Sequence, residues 1–151
     1  MNYKFNLLLF SIILLSFSAN CQEIGWGFNE LTRLKGENYE KKTTDDGDLM
    51  VTYITPKYLD GKILKDGYSE IYVLKSTSDK VYKYYAFGVL KLTEFSDLVE
   101  RNNTKYDKIE LAPDQKFFKW INKRENAEYR LYNKGNMGES CMVYYTCTLI
   151  Q

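Results

Sequence analysis

Apolar residues in this chain recur at two intervals, and the change from one to the other marks out its elements. Phe28, Leu31 and Leu34 follow the three-to-four-residue step of a helix, as do Phe95, Leu98, Val99 and Asn102. Thr93 is placed to cap the second helix, with Glu94 and Asp97 in its first turn, where negative charge suits the helix dipole. Elsewhere the step falls to two, as in a strand whose successive side chains leave opposite faces. Residues 50–54, 69–76 and 81–90 form one group of such stretches, and residues 117–121, 127–134 and 141–150 form another. "DDGD" at 45–48 and "KDG" at 65–67 supply turn chemistry, because Asp-Gly accepts the positive φ of tight connections. Asp45, Asp46 and Asp48 lack the alternating ligands and distal glutamate of an EF-hand calcium loop. Strands outnumber helices, so the class expected is α+β.

The two groups resemble each other. "FNELTRLKGENYEK" (28–41) lies over "FSDLVERNNTKYDK" (95–108) without a gap, matching Phe28 with Phe95, Leu31 with Leu98 and Tyr39 with Tyr106. The same offset pairs "MVTYI" with "FFKWI". After a longer connection in the first half, "SEIYVLKS" pairs with "AEYRLYNK" and "VYKYYAFGVL" with "CMVYYTCTLI". A tandem duplication is the expectation: two repeats, about 26–91 and 93–151, each a helix followed by antiparallel strands, with the helices on one face of the sheet.

Strand parity then divides the residues by face. Met50, Ile54, Ile71, Val73, Val81, Tyr85, Phe87 and Val89 form the expected core in the first repeat. In the second it is formed by Phe117, Ile121, Tyr129, Leu131, Cys141, Val143, Tyr145, Cys147 and Leu149. Tyr53, Tyr72, Tyr82, Tyr84, Phe118, Trp120, Tyr132, Met142 and Tyr144 would then face away, and the eight aromatic residues of this set are the candidate binding residues. An exposed aromatic sheet face exceeds what solvation alone favours. Tyrosine and tryptophan give large contact area at low entropy cost, which suits recognition. Tyrosine is also a good strand former, and cross-strand tyrosine pairs stabilise a sheet without binding anything.

Residues 1–21 stand apart. One lysine, Lys4, precedes an uncharged apolar run over 7–15 and then small residues, the layout of a secretory signal. Two cuts fit: release before Gln22, or lipidation of Cys21, whose preceding Asn20 departs from the usual lipobox. Export to a periplasmic or extracellular location, or lipid anchoring in the cell envelope, follows. The remaining residues, 22–151, make one domain, which can bury roughly two thirds of its unfolded surface without needing disulfides. Cys141 and Cys147, if they share one strand, stand roughly 20 Å apart, well beyond the Cα separation of about 7 Å that a bridge allows. Two buried thiols are expected, unless a turn between them closes a small loop.

Composition narrows the chemistry. The formal net charge is +1, and acids and bases are interspersed, so nothing draws in nucleic acid, and contact with a membrane would come only through Cys21. There is no histidine, which excludes histidine-dependent triads, imidazole bases and the usual zinc sites. No metal or cofactor is expected. Glu30, Glu70, Asp97 and Glu128 are carboxylates that could serve glycosidase chemistry, but no motif pairs them. "NNT" at 102–104 is a glycosylation sequon only in a eukaryotic source.

With its signal peptide, the paired "FNEL…YEK" and "FSDL…YDK" units and their strands, the chain resembles the secreted β-lactamase-inhibitor-protein architecture. It is also similar to small envelope lipoproteins that carry one such unit. The resemblance implies a protein target for the concave sheet, and it transfers no functional residue. The function expected is that of a non-enzymatic exported binding protein, with a protein partner favoured over a glycan. A small envelope-anchored structural or assembly lipoprotein is the alternative.

Overall fold

The computed structural model describes residues 23–59, 62–111 and 115–150. The signal segment, Cys21 and Pro113 lie outside the described residues. Along the chain run α1 (Phe28–Lys35), β1 (Glu40–Thr43), β2 (Leu49–Leu59), β3 (Lys62–Lys75), β4 (Lys80–Lys91) and α2 (Leu92–Lys105). They are followed by β5 (Asp107–Lys108), β6 (Phe117–Asn122), β7 (Ala127–Met137) and β8 (Ser140–Leu149). The strands form one eight-stranded sheet in the order β1-β2-β3-β4-β8-β7-β6-β5, antiparallel throughout. The α+β class expected from the sequence is therefore observed.

Both helices start with a reciprocal glutamate. Gly27 N–H donates to Glu30 Oε2 at 2.8 Å, and Lys91 N–H donates to Glu94 Oε2 at 2.9 Å. Thr93 is therefore inside the first turn of α2 and is not its cap. Leu92 N–H bonds to the Glu139 carbonyl at 2.9 Å, so β4 passes straight into the helix beside the β7–β8 turn. Leu31 and Leu98 are buried, whereas Leu34, expected on the inner stripe, is 58% exposed. An eight-residue helix turns only one narrow stripe inward, and Leu31 with Phe28 fills it.

Two rows of directly opposed side chains run across the sheet and build the core. The first is Trp120, Tyr129, Cys147, Tyr84, Tyr72 and Val51. The second is Phe118, Leu131, Tyr145, Ala86, Glu70 and Tyr53. Leu31 of α1 and Leu98 of α2 pack into the same cluster. Five residues expected to face outward thus lie on the core side: Tyr53, Tyr72, Tyr84 and Trp120 are buried, and Phe118 packs against them. Conversely, Met50, Ile54, Ile71, Val73, Tyr85, Phe87, Val89, Phe117 and Ile121 point to the opposite face. In β7 and β8 the expected assignment holds: Tyr129, Leu131, Val143, Tyr145 and Cys147 are buried, and Tyr132, Met142 and Tyr144 face the other way.

In β4 the reversal has a local physical cause. A bulge in β4 sets Val73 opposite Lys83 but Leu74 opposite Val81, leaving Tyr82 as the extra residue. Val81 stays in the core, while beyond the bulge the parity switches and Tyr84, Ala86 and Leu90 turn inward. In β2 and β6 the interior rings Tyr53 and Trp120 find partners for their polar atoms, whereas the Tyr72 hydroxyl of β3 is buried without one. Tyr53 Oη donates to the Gly36 carbonyl at 3.2 Å, and Trp120 Nε1 to Asn103 Oδ1 at 2.9 Å.

Residues 65–67 also differ from expectation. They are an irregularity within β3, between the pairs Leu64–Lys57 and Tyr68–Thr55, not a connection between strands. Asp45 and Asp46 do form a turn, closed by Gly47 at φ 80°. Cys141 and Cys147 are buried thiols on one strand and are not bridged.

Candidate binding surface

The face opposite the core cluster carries a row of directly opposed residues across six strands: Phe117, Tyr132, Tyr144, Phe87, Ser69 and Ile54. Its first four members are aromatic. Ring centroids are 4.9 Å apart for Phe117 and Tyr132, 5.6 Å for Tyr132 and Tyr144, and 4.3 Å for Tyr144 and Phe87. Interplanar angles for these pairs stay near 30°. Tyr85, one row away, stacks on Tyr144 at 6.0 Å. Each ring therefore turns a face toward its neighbour in the row, and Phe87, which ends the run beside Ser69, is covered on one side by Tyr144. Phe87, Ile54 and Met142 are each more than 40% exposed on this side, and the other rings are half-buried.

Cations flank the rings. Lys134 Nζ lies 4.9 Å from the Tyr132 ring centre and 6.0 Å from that of Tyr144, and the Arg130 guanidinium lies 5.6 Å from Phe117. Glu128, the neighbour of Arg130 on this face, pairs with both Arg130 and Lys119. Those two cations hold its carboxyl below the usual range against the opposing effect of burial. Partial burial, then the nearby Tyr85 and Tyr132, raises the Tyr144 phenol above its ordinary value, so it remains a hydrogen-bond donor at neutral pH.

Tyr82, the bulged residue, has a different task. Its hydroxyl donates to Asp48 Oδ2 at 2.6 Å, and the same carboxylate accepts the Ser76 N–H at 2.9 Å and Lys75 Nζ at 3.4 Å. These bonds tie the β1–β2 turn to the β3–β4 turn. They hold Asp48 well below the carboxylate range and push Tyr82 up to about 12.

On the core side Glu70 accepts from Tyr84 Oη at 3.0 Å, Tyr68 Oη at 3.3 Å and Lys35 Nζ at 3.1 Å. Burial first, with the Glu70 charge contributing, pushes the phenols of Tyr68, Tyr72 and Tyr84 far above the ordinary tyrosine value. These rings stay neutral and structural.

Of the eight candidate residues, Tyr132 and Tyr144 belong to the exposed row, and Tyr82, near the start of β4, is held in the Asp48 network. Tyr53, Tyr72, Tyr84, Phe118 and Trp120 do not. Phe117 and Phe87 of the row, and Tyr85 one row away, are the rings on this face that sequence parity missed. The carboxylates weighed for catalysis are scattered: Glu30 caps α1, Glu70 is in the core, Asp97 is exposed on α2, and Glu128 is held by its two cations. Asn102 of the sequon is buried on α2. Among the described residues no helix is long and apolar enough to cross a membrane. Comparison with protein-family models, curated proteins and solved structures finds no match to this chain.

Proposed function

We propose that this chain is a non-enzymatic exported binding protein whose aromatic row, Phe117, Tyr132, Tyr144 and Phe87, engages another protein. Inhibition or neutralisation of an envelope or extracellular protein is the concrete form of this function. The observation that carries it is a row of four mutually packed rings on the side away from the core cluster. A protein partner is favoured over a glycan because sugar stacking needs open ring faces, and the faces in this row are largely turned toward neighbouring rings.

The proposal includes a tandem duplication with both helices on the core side. Strand register supports it once the repeats are aligned one residue differently from the sequence match in β3/β7 and β4/β8. Exchanging Tyr84 with Tyr145 and Ala86 with Cys147 turns the pair Tyr84–Cys147 into Tyr145–Ala86, which is the observed pairing. Under the same exchange the two core rows map onto each other, Tyr53 onto Trp120 and Tyr72 onto Leu131. The opposite face does not repeat. The aromatic row maps onto Met50, Val73, Lys83, Thr148, Glu128 and Ile121, which contains no ring. Architecture alone accounts for the matched core and leaves the one-sided aromatic row to function.

The test is a pull-down from the envelope fraction of the source organism with the triple variant Phe87→Ala, Tyr132→Ala, Tyr144→Ala. Loss of a partner captured by the unaltered protein, with a cooperative melt retained, is the expected result. Undiminished capture by the triple variant would refute the assignment. Mass spectrometry of the mature amino terminus separates a released protein beginning at Gln22 from one anchored through Cys21.

A further inference from the structure

We infer that the aromatic face is built for an acidic partner surface, one that sets carboxylates among apolar groups. This rests on the protein-binding function proposed above and specifies the partner's chemistry. Three features of the face point the same way.

The first is its charge. Strands β4, β6 and β7 set Lys83, Lys119, Arg130 and Lys134 on this side against Glu128, which Lys119 and Arg130 already share; at the sheet edges β1 adds Glu40 and Lys42, and Asp107 of β5 is paired with Lys123. Lys75 is satisfied by Asp48. Among the described residues Lys83 and Lys134 form no ion pair. Lys83 lies over the Tyr82 ring and Lys134 over Tyr132 and Tyr144. The cations thus lie on both flanks of the aromatic row.

The second is ring orientation. An aromatic ring is electron-rich on its face and electron-poor at its edge. Here the faces of Phe117, Tyr132 and Tyr144 turn toward neighbouring rings or cations, and Phe87 is covered on one side by Tyr144, so the surface between the lysines is largely ring edge and weakly electropositive. The third is the phenol of Tyr144, protonated at neutral pH, a donor that can meet a carboxylate oxygen. A second copy of this chain would bring the same cations against themselves, which like-charge repulsion opposes.

The experiment measures binding of the full mature chain to a random glutamate–tyrosine copolymer, with a lysine–tyrosine copolymer and phosphatidylglycerol vesicles as competing probes. Sedimentation of the chain alone reports self-association. The variant is Lys83→Glu with Lys134→Glu. The control, Arg33→Glu with Arg101→Glu, makes the same change in net charge at exposed positions on the two helices. Expected are binding of the acidic copolymer, a weakening of about tenfold or more in the face variant, a comparable loss between about 0.05 and 0.5 M salt, and little change in the control. Equal binding of the lysine copolymer, an unaffected face variant, preference for the vesicles, or dimerisation through this face would each overturn the inference. Removing Phe87 and Tyr144 gives the second arm. If that abolishes capture of the natural partner while the charge variant does not, the acidic partner is wrong and aromatic recognition stands. If neither change matters, both fail.

Discussion

Two aromatic residues of similar size can have opposite roles in this sheet, and single substitutions separate them. Trp120 is fully buried, with its indole N–H satisfied by Asn103, so Trp120→Ala should cost about 3–5 kcal/mol in urea denaturation. Phe87 is 42% exposed and its main ring contact is Tyr144. Phe87→Ala should therefore cost about 0.5–1.5 kcal/mol, the worth of an aromatic pair. A loss as large as that of Trp120 would place Phe87 in the core. Asp48 gives a pH signature. Its carboxyl is depressed in the folded state by Tyr82, Ser76 and Lys75, so its contribution is present above the ordinary carboxylate range and is lost as pH falls through that range and below. Asp48→Asn should lower Tm by several degrees at pH 7 and flatten the decline of Tm on acidification. A variant whose acid limb matches the parent would rule out Asp48 as a source of that decline.

At the scale of elements, how much was legible depended on whether the spacing within a strand stayed uniform. β8 alternates without interruption, and its inward and outward residues follow from sequence alone, Cys141 and Cys147 included. β4 does not, because Tyr82 is an added residue whose presence follows from the pairing with β3, which local periodicity does not contain. A one-residue slip exchanges the faces of a strand, so uniform alternation read through Tyr82 puts Tyr84 on the wrong side. The helices were legible as elements because Phe28 with Leu31, and Phe95 with Leu98, keep the helical step. Their inward stripes were less so, since burial of Leu31 with exposure of Leu34 depends on how α1 sits over the sheet. Leu98→Ala should cost about 2–5 kcal/mol and Leu34→Ala less than about 0.5 kcal/mol. Equal effects in thermal or urea denaturation would contradict the observed orientation of one helix or the other.

At the scale of the whole molecule, the seam between β4 and β8 decides whether the chain unfolds as one body or two. Nine residue pairs register along it, from Lys83–Thr148 to Lys91–Ser140. Both core rows cross it without a break, through Tyr84–Cys147 and Ala86–Tyr145, so the interior of one half continues into that of the other. The outer strands β1 and β5 are short and charged, which discourages growth of the sheet at its edges and leaves the seam as the main junction. Separating the halves would expose the buried rings Tyr84 and Tyr145 along a whole strand, a cost that no intermediate with one half folded recovers. The two tryptophans make this testable. Trp26 packs against the core where its carbonyl accepts the Val81 N–H, whereas Trp120 lies in the far half. With Trp120→Phe leaving Trp26, and Trp26→Phe leaving Trp120, each variant's fluorescence transition in urea should coincide with its own far-UV circular dichroism transition. Separate midpoints within one variant would show that the halves unfold independently and that the seam does not couple them.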